Sequence, residues 1–290
     1  MRRATPGHTR FQRIRAALEA ASVEGRVAGH IYEFLLFGFK QAWACLFGGL
    51  LLFLLIATHF LYPGDAPIAR YDFLTIAAVA IQIALLALRL ETWDEAKVIF
   101  AFHIVGTVME LFKTAAGSWT YPEPSLLRIA EVPLFSGFMY AAVGSYIARV
   151  WRIFDFRFTH FPPLWAAGLL AAGIYANFFL HHWLPDMRAP LLVATALLFA
   201  RTRVWYRPFR KHRWMPLLVS FFLVALFIWF AENIATFSNA WVYPDQEEGW
   251  TMVSPAKLVA WYLLMIISFV LVAAVHRPQE PAIAGGEKER

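Results

Sequence analysis

The chain carries an internal repeat, because residues 41–154 match residues 163–276 at a fixed offset of 122 positions. The match is clearest in polar, aromatic and proline residues, which are uncommon beside the many leucines and alanines. The matched pairs are Trp43 and Trp165, His59 and His181, Pro63 and Pro185, Glu110 and Glu232, Thr114 and Thr236, Trp119 and Trp241, Tyr121 and Tyr243, Pro122 and Pro244, Pro133 and Pro255, and Tyr140 and Tyr262. A fixed-period match in such residue types indicates a duplication. It predicts two similar halves, with the duplicated residues forming two equivalent sites or one site at the junction.

The composition predicts an all-α membrane protein. Of the 290 residues, 60% are apolar and 16% are charged, whereas soluble domains carry about a quarter charged residues. Uncharged apolar runs at 41–62, 214–231 and 258–275 reach the ~18 residues that are typical of a spanning helix. We expect no cleaved signal peptide, since no short apolar core with a cleavage site follows the basic N-terminus. The single cysteine, Cys45, excludes an internal disulfide and a thiolate-based metal site.

We predict a polytopic fold of about eight transmembrane helices, arranged as two parallel four-helix repeats. The predicted spans lie near residues 41–61, 71–90, 95–113, 132–152, 163–183, 189–205, 214–236 and 254–275. The predicted organisation is a basic tail at 1–30, a first membrane repeat at 31–158 with an amphipathic lead-in helix at 31–40, a second membrane repeat at 159–276, and a C-terminal tail at 277–290. At the second span the offset falls to 118, so the second copy has a longer segment before its third span.

The distribution of Lys and Arg predicts the orientation. With the N-terminus inside, all but five of the 26 basic residues lie in cytoplasmic segments, and the five exceptions are Arg70, Lys113, Arg128, Arg188 and Lys257. Cytoplasmic segments carry an excess of basic residues, so we predict a bacterial inner-membrane protein with both termini cytoplasmic. Four spans per repeat give both halves the same orientation, with a pseudo-two-fold axis along the membrane normal. This distribution explains the net charge of +6 without a nucleic-acid partner.

This orientation gathers the duplicated polar residues at the outer side of the membrane. Glu110 and Glu232 lie about one helical turn inside the outer end of the third span of each repeat, and Tyr140 and Tyr262 lie about 10 Å deeper. A carboxylate in the apolar zone is costly and normally faces protein. Burial favours the protonated form of a carboxyl group, so we predict catalytic acid–base roles for these four residues. In the alternative interpretation, each Glu holds the adjacent outer loop and stabilises its own repeat.

Six further duplicated residues are predicted to bind a substrate, and they are His59, His181, Trp119, Trp241, Tyr121 and Tyr243. Aromatic walls suit an apolar, elongated ligand, although Trp and Tyr also form belts at membrane interfaces. The two histidines could join the two glutamates as metal ligands. No metal-binding spacing supports that interpretation, and we expect neither a metal nor a cofactor.

Three segments resemble one known family. They are Glu33-Phe-Leu-Leu-Phe-Gly-Phe-Lys-Gln-Ala, the stretch Gly106-Thr-Val-Met-Glu110-Leu-Phe-Lys-Thr with Gly-Ser-Trp119-Thr-Tyr-Pro after it, and Glu232-Asn-Ile-Ala-Thr with Trp241-Val-Tyr-Pro after it. These segments are similar to domain-of-unknown-function family 817, a bacterial integral-membrane family. The resemblance covers nearly the whole chain after residue 30. It implies a membrane fold and no particular reaction.

A shorter pattern is similar to membrane carotenoid hydratases and small-type lycopene cyclases. The matching positions are Glu110, Gly117, Trp119, Tyr121, Val132, Pro133 and Leu134. The resemblance implies protonation of a polyene double bond by a carboxylic acid, without a redox change. The chain departs from the cyclase pattern after Pro133, where Leu-Phe-Ser replaces paired acidic residues, and again in the second copy, which reads Ser254-Pro255-Ala256.

Three functions are consistent with these sequence features. The chain is an enzyme doing acid–base chemistry on an isoprenoid or other lipid at an outer-leaflet site, a small-solute transporter or channel, or a structural membrane protein. Secondary transporters usually bind their substrate at the midplane, whereas the repeated polar residues lie in the outer third, which favours the enzyme. The expected partners are membrane lipids and a hydrophobic small molecule, and the oligomeric state is left open.

Overall fold

The computed structural model describes residues 10–22, 25–181 and 183–281, so the predicted tails lie partly outside the described residues. The described part is mostly helical and divides into two compact units. The first unit contains Met1–Arg149 and Trp229–Ser254, and the second contains Val150–Ile228 and Pro255–Arg290. These units do not coincide with the two predicted repeats, because the segment around Glu232 belongs to the first unit.

The first unit holds the N-terminal helices and a two-stranded antiparallel ladder. Its elements in chain order are α1 (Arg10–Glu19), α2 (Arg26–Ala44), α3 (Leu46–Leu61), α4 (Arg70–Ala87), α5 (Trp93–Ala115), β1 (Arg128–Ile129), β2 (Val132–Pro133) and α6 (Phe135–Ile153), whose last residues lie in the second unit. Helix α5 begins at a capping box, in which the Thr92 side chain accepts from the Glu95 backbone and the Glu95 side chain accepts from the Thr92 backbone. The cap fixes where the helix that carries Glu110 begins.

The second unit combines helices with a three-stranded antiparallel sheet in the order β3-β4-β5. Its elements are β3 (Arg157–Thr159), α7 (Leu164–Leu180), α8 (Arg188–Phe199), β4 (Arg203–Tyr206), β5 (Arg213–Pro216), α9 (Leu217–Phe237) and α10 (Pro255–His276). Helix α10 packs on α7 and α8. Helix α9 begins in this unit and ends in the first, where a short 3-10 turn at Pro244–Gln246 follows it.

Four helices among the described residues are individually long and apolar enough to cross a membrane. They are α4, the Glu95–Ala115 part of α5, α9 and α10. Helices α2 and α3 make a fifth span if they count as one, although they are bent by 70°. Helices α7 and α8 are apolar but have only 17 and 12 residues. A helix therefore lies at each predicted span and the chain is compatible with a membrane protein, while the count of eight crossings and the parallel repeat arrangement stay predictions.

Two predicted spans differ from the observed helices. The first, at 41–61, is interrupted at Cys45, where α2 ends and α3 begins. The sixth, at 189–205, ends at Phe199 because residues 203–206 pair with residues 213–216 as an antiparallel hairpin. Residues 201–204 alternate exposed and buried side chains, with Arg203 exposed and Val204 buried, and such alternation is typical of a half-buried strand. The backbone of residues 203–206 is therefore hydrogen-bonded to residues 213–216 and does not continue the helix.

Helices α5 and α6 approach closely at three glycines, which are Gly106, Gly137 and Gly144. A Cβ atom on Gly137 would lie 2.4 Å from the Thr107 Oγ1 and 2.7 Å from the His103 carbonyl oxygen. A Cβ atom on Gly106 would lie 2.7 Å from the Tyr140 Cβ. Glycine is thus required for this helix contact, and the contact places Tyr140 of α6 beside α5.

Candidate functional site

Glu110 accepts three hydrogen bonds inside the first unit. Its side chain lies on α5, and the residue is only 3% exposed. The Trp119 indole donates to Oε2 over 2.7 Å and the Tyr121 hydroxyl donates to the same oxygen over 2.6 Å. The Tyr140 hydroxyl donates to Oε1 over 2.7 Å. Two donors come from the loop that follows α5 and the third from α6, so the carboxylate joins one loop and two helices.

Glu232 repeats the first part of this arrangement at the end of α9. It is also 3% exposed, and the Tyr243 hydroxyl donates to its Oε1 over 2.5 Å. Tyr243 follows Glu232 by the same number of residues as Tyr121 follows Glu110. Each carboxylate therefore holds the Trp-x-Tyr-Pro loop that follows its own helix.

The two Trp-x-Tyr-Pro loops pair with each other. Thr120 and Val242, the middle residues of the two loops, form an antiparallel bridge in which each backbone N–H donates to the other carbonyl over 2.9 Å. These residues are also separated by the repeat offset of 122, so the pairing is locally two-fold symmetric. The Trp119 and Tyr243 rings meet edge to face at 6.0 Å. We call Glu110, Glu232, Trp119, Tyr121, Tyr140, Trp241 and Tyr243 the carboxylate cluster.

Burial fixes the protonation of the loop tyrosines. Burial, followed by the nearby carboxylate charge, raises the pKa of Tyr121 and of Tyr243 well above the ordinary range. Both hydroxyls therefore keep their protons and act as donors. The three donors on Glu110 connect its carboxylate to the loop after α5 and to α6.

An open cleft of about 660 Å³ lies beside the cluster in the first unit. It is lined by groups of mixed chemistry, among them His59, Tyr62, Arg70, Glu123, Phe237 and Trp250. The exposed His59 ring lies 4.8 Å from the ring of Phe60 and 5.4 Å from that of Phe237. The Trp250 indole donates to the Thr236 hydroxyl over 3.1 Å. Val242 also lines the cleft, so a loop held by the carboxylate cluster forms part of its wall.

Arg70 and Glu123 form a second stretch of the cleft wall, and Asp72 holds the residues that follow this stretch. Arg70 donates to Glu123 over 2.5 Å, to the Thr58 hydroxyl over 3.0 Å and to the Ser238 carbonyl over 2.6 Å. The Asp72 carboxylate accepts from the Ser125 hydroxyl over 2.6 Å and from the backbone of residues 126 and 127. The sequence interpretation gave Asp72 and Glu123 no role in a site. The available signal was the position of Asp72 in the first turn of α4, where a carboxylate is favoured.

Two predicted site residues belong to the second unit. The Tyr262 ring packs edge to face on Phe221 at 6.3 Å. The His181 Nδ1 atom lies 3.0 Å from the Asn177 carbonyl oxygen at the end of α7. The structure therefore brings together Glu110, Glu232, Trp119, Tyr121, Tyr140, Trp241 and Tyr243, with His59 at the adjacent cleft. Within the described ranges, no group of three or more His, Cys, Asp or Glu side chains is placed to hold a metal ion.

A designed crosslink tests the pairing of the two loops. In a Cys45→Ser background, Thr120→Cys combined with Val242→Cys is expected to form a disulfide under mild oxidation, because paired residues of this kind have Cα atoms about 5.5 Å apart. The linked peptides are measured by mass spectrometry after non-reducing proteolysis. The control combines Thr120→Cys with Glu248→Cys, which is out of register, and equal crosslinking in both variants contradicts the pairing.

Comparison with known proteins gives the family. The family described as "Protein of unknown function (DUF817)" matches residues 33–269. The chain belongs to this family. It is also 42% identical over 253 residues to the "Uncharacterized protein YoaT" of Bacillus subtilis (strain 168), covering 87% of this chain and 95% of that protein. No solved structure matches the chain. The family resemblance seen in the sequence is thus confirmed, whereas the similarity to carotenoid hydratases and lycopene cyclases is not supported.

Proposed function

We propose that the chain is a multi-pass inner-membrane protein that binds an isoprenoid or other lipid in the cleft at its outer face. The observation that carries the proposal is the cleft itself, which combines polar and aromatic walls beside the duplicated loops. In this proposal eight helices form two parallel four-helix repeats, and both termini are cytoplasmic. The four membrane-length helices and the locally symmetric pairing of Thr120 with Val242 support it.

The exposed side chains of the long helices support membrane insertion. Large apolar residues such as Phe100 on α5, Phe227 on α9 and Leu271 on α10 are exposed. A continuous apolar surface on helices of this length fits contact with lipid acyl chains. The bulk of the ligand would then reach the cleft from the bilayer, without crossing water.

The cleft lining fits an amphipathic ligand. The imidazole of His59 and the Arg70–Glu123 ion pair offer hydrogen bonds and charge to a polar head group. Tyr62, Phe237 and Trp250 offer aromatic surface to an apolar tail. Ligand sites commonly combine an apolar lining with a few polar groups that fix the orientation of the ligand.

The carboxylate cluster has a positioning role in this proposal. Both oxygens of Glu110 already accept hydrogen bonds from protein donors. Acid–base chemistry at Glu110 or Tyr140 would require these bonds to open toward a substrate, and at Glu232 it would require the same of the bond from Tyr243. The bonds that are present are sufficient to hold the two Trp-x-Tyr-Pro loops. They thereby also hold Val242, which lines the cleft.

Photolabelling tests the binding site. Proteoliposomes are irradiated with a diazirine-bearing isoprenoid alcohol, and the labelled peptides are identified by mass spectrometry. Label is expected on segments 58–70 and 236–250, and at least five-fold less label is expected in the double variant His59→Ala/Trp250→Ala, which removes one polar and one aromatic contact. The matched control is Trp165→Ala, an exposed tryptophan of the second unit. Uniform labelling of all exposed helices would contradict a cleft site.

Lipid analysis of cells separates binding from catalysis. Lipid extracts are compared among a deletion strain and strains that carry Glu110→Gln or Glu232→Gln. If the cluster only positions the loops, the two conservative variants are expected to resemble the wild type more closely than the deletion strain does. A product that is lost in both variants while photolabelling persists would assign acid–base chemistry to the carboxylates.

A further inference from the structure

The connection between α8 and α9 is much longer than its counterpart in the first half. Helices α4 and α5 are joined by residues 88–92, whereas α8 and α9 are joined by residues 200–216, which include β4 and β5. The first half shows that a short loop is sufficient to join two such helices. The additional residues of the second half are therefore available for a function other than closing the fold. We call residues 201–216 the basic hairpin.

The basic hairpin has one buried and one outward face. Val204 and its partner in β3, Phe158, are both buried. The opposite face carries Arg203, Trp205 and Trp214, since residues that alternate along a strand point to opposite sides. The Arg203 guanidinium lies 4.2 Å from the centre of the Trp214 ring, and the two tryptophan rings lie 6.5 Å apart. The outward face is thus a fixed platform of aromatic rings and positive charge.

The charge around the hairpin is strongly positive. Its exposed basic residues are Arg201, Arg203, Arg210, Lys211 and Arg213. Between residues 150 and 228 the sequence contains only two acidic residues, Asp155 and Asp186. The Asp155 carboxylate lies 3.1 Å from the Arg157 guanidinium and 3.4 Å from the His212 Nε2 atom. The Asp186 carboxylate lies 2.6 Å from the Arg188 guanidinium. The surface therefore has a large positive excess that acidic side chains of this segment do not balance.

We infer that the basic hairpin binds the anionic phospholipid surface of the membrane in which the protein is embedded. The inference rests on the membrane insertion proposed above. Strand β5 ends at Pro216, and the membrane-length helix α9 begins at Leu217, so the hairpin lies where this helix enters the bilayer. Tryptophan favours the head-group level, and each basic residue near an anionic surface strengthens binding about five-fold. A nucleic acid would also meet positive charge here, but it would not require this position next to α9.

Lipid retention by the full-length protein tests the inference. Protein is reconstituted in vesicles of equal amounts of phosphatidylcholine and phosphatidylglycerol and is then purified in mild detergent. The ratio of the two retained lipids is measured by mass spectrometry. We expect the lipid retained by the wild type to be enriched in phosphatidylglycerol. In Arg203→Gln/Lys211→Gln, this enrichment is expected to be at least five-fold lower than in the wild type. The charge-matched control Arg128→Gln/Arg188→Gln, remote in sequence from the hairpin, should change it by less than two-fold.

A second variant separates charge from folding. Arg203→Lys/Lys211→Arg keeps both positive charges and is expected to retain the enrichment in phosphatidylglycerol. If this variant loses the enrichment, the electrostatic inference is overturned. Equal enrichment in the wild type and the Gln variant would overturn the hairpin site while leaving membrane insertion intact. Recovery of the protein without detergent in the soluble fraction would overturn insertion and the hairpin site together. Binding of a fluorescent single-stranded RNA in preference to phosphatidylglycerol vesicles, lost in the same Gln variant, would replace the lipid by a nucleic acid.

Discussion

Replacing Glu110 by alanine is expected to destabilise the protein by about 3–5 kcal/mol, because three partly buried donors lose their acceptor and an unsatisfied buried donor costs about 1–3 kcal/mol. The donors are the hydroxyls of Tyr121 and Tyr140 and the indole of Trp119. The measurement is thermal unfolding of purified protein in detergent, where a decrease of about 10 °C in the midpoint is expected.

A graded series makes the Glu110 prediction sharper. Glu110→Gln keeps one carbonyl oxygen for Trp119 and Tyr121, and its amide can donate to the Tyr140 hydroxyl, which also accepts. We therefore expect this variant to lose less than half as much stability as Glu110→Ala. The exposed Glu131→Gln is the control and should leave the midpoint unchanged. If Glu110→Ala and Glu131→Gln unfold at the same temperature, the carboxylate does not hold the loops.

Adding a single methyl group at Gly137 is expected to destabilise the contact of α5 with α6 by about 3 kcal/mol. The new Cβ would lie 2.7 Å from the backbone oxygen of His103, which cannot move without shifting α5. Overpacking of this kind typically costs about 1–3 kcal/mol, and more where backbone must move. The matched control is Gly49→Ala on α3, where no atom lies within 4 Å of the new methyl group and the higher helix propensity of alanine adds up to about 1 kcal/mol. Thermal unfolding should move the two variants in opposite directions, and a shared direction would contradict close packing at Gly137.

The sequence singles out most residues of the carboxylate cluster because uncommon residue types match at one constant offset. Glu110 and Tyr121 recur as Glu232 and Tyr243 at one constant offset, and uncommon residue types stand out in an apolar chain. The structure places all four in the first unit. Repetition did not predict the partners equally well for every pair, since Tyr140 reaches Glu110 whereas its counterpart Tyr262 lies in the second unit. A constant offset therefore predicts which residues correspond to each other. It does not predict which of them are in contact.

Features that occur in one copy only were harder to predict. Asp72 and Ser125 are far apart in sequence and have no duplicated counterpart, so no spacing linked them before the structure did. The sequence predicts a helix end, a loop and a helix start over the basic hairpin, because an apolar segment such as Val204-Trp205-Tyr206 fits helix and strand alike until its partner strand is known. No glycine or proline lies within two residues of the break at Cys45. Hydropathy also did not predict helix length. It reports only that a segment is apolar, whereas α7 and α8 are shorter than the spans predicted there.

The bridge between Thr120 and Val242 has a consequence for ancestry. A contact that joins a position to its own copy is the intramolecular form of the isologous contact found in two-fold dimers. If the repeat predicted from the sequence arose by duplication, a half-length ancestor with one Trp-x-Tyr-Pro loop would have needed a second subunit to form this bridge. On that hypothesis, fusion of two such genes would make the partner permanent, and the two halves would then be free to differ, as they do at the basic hairpin.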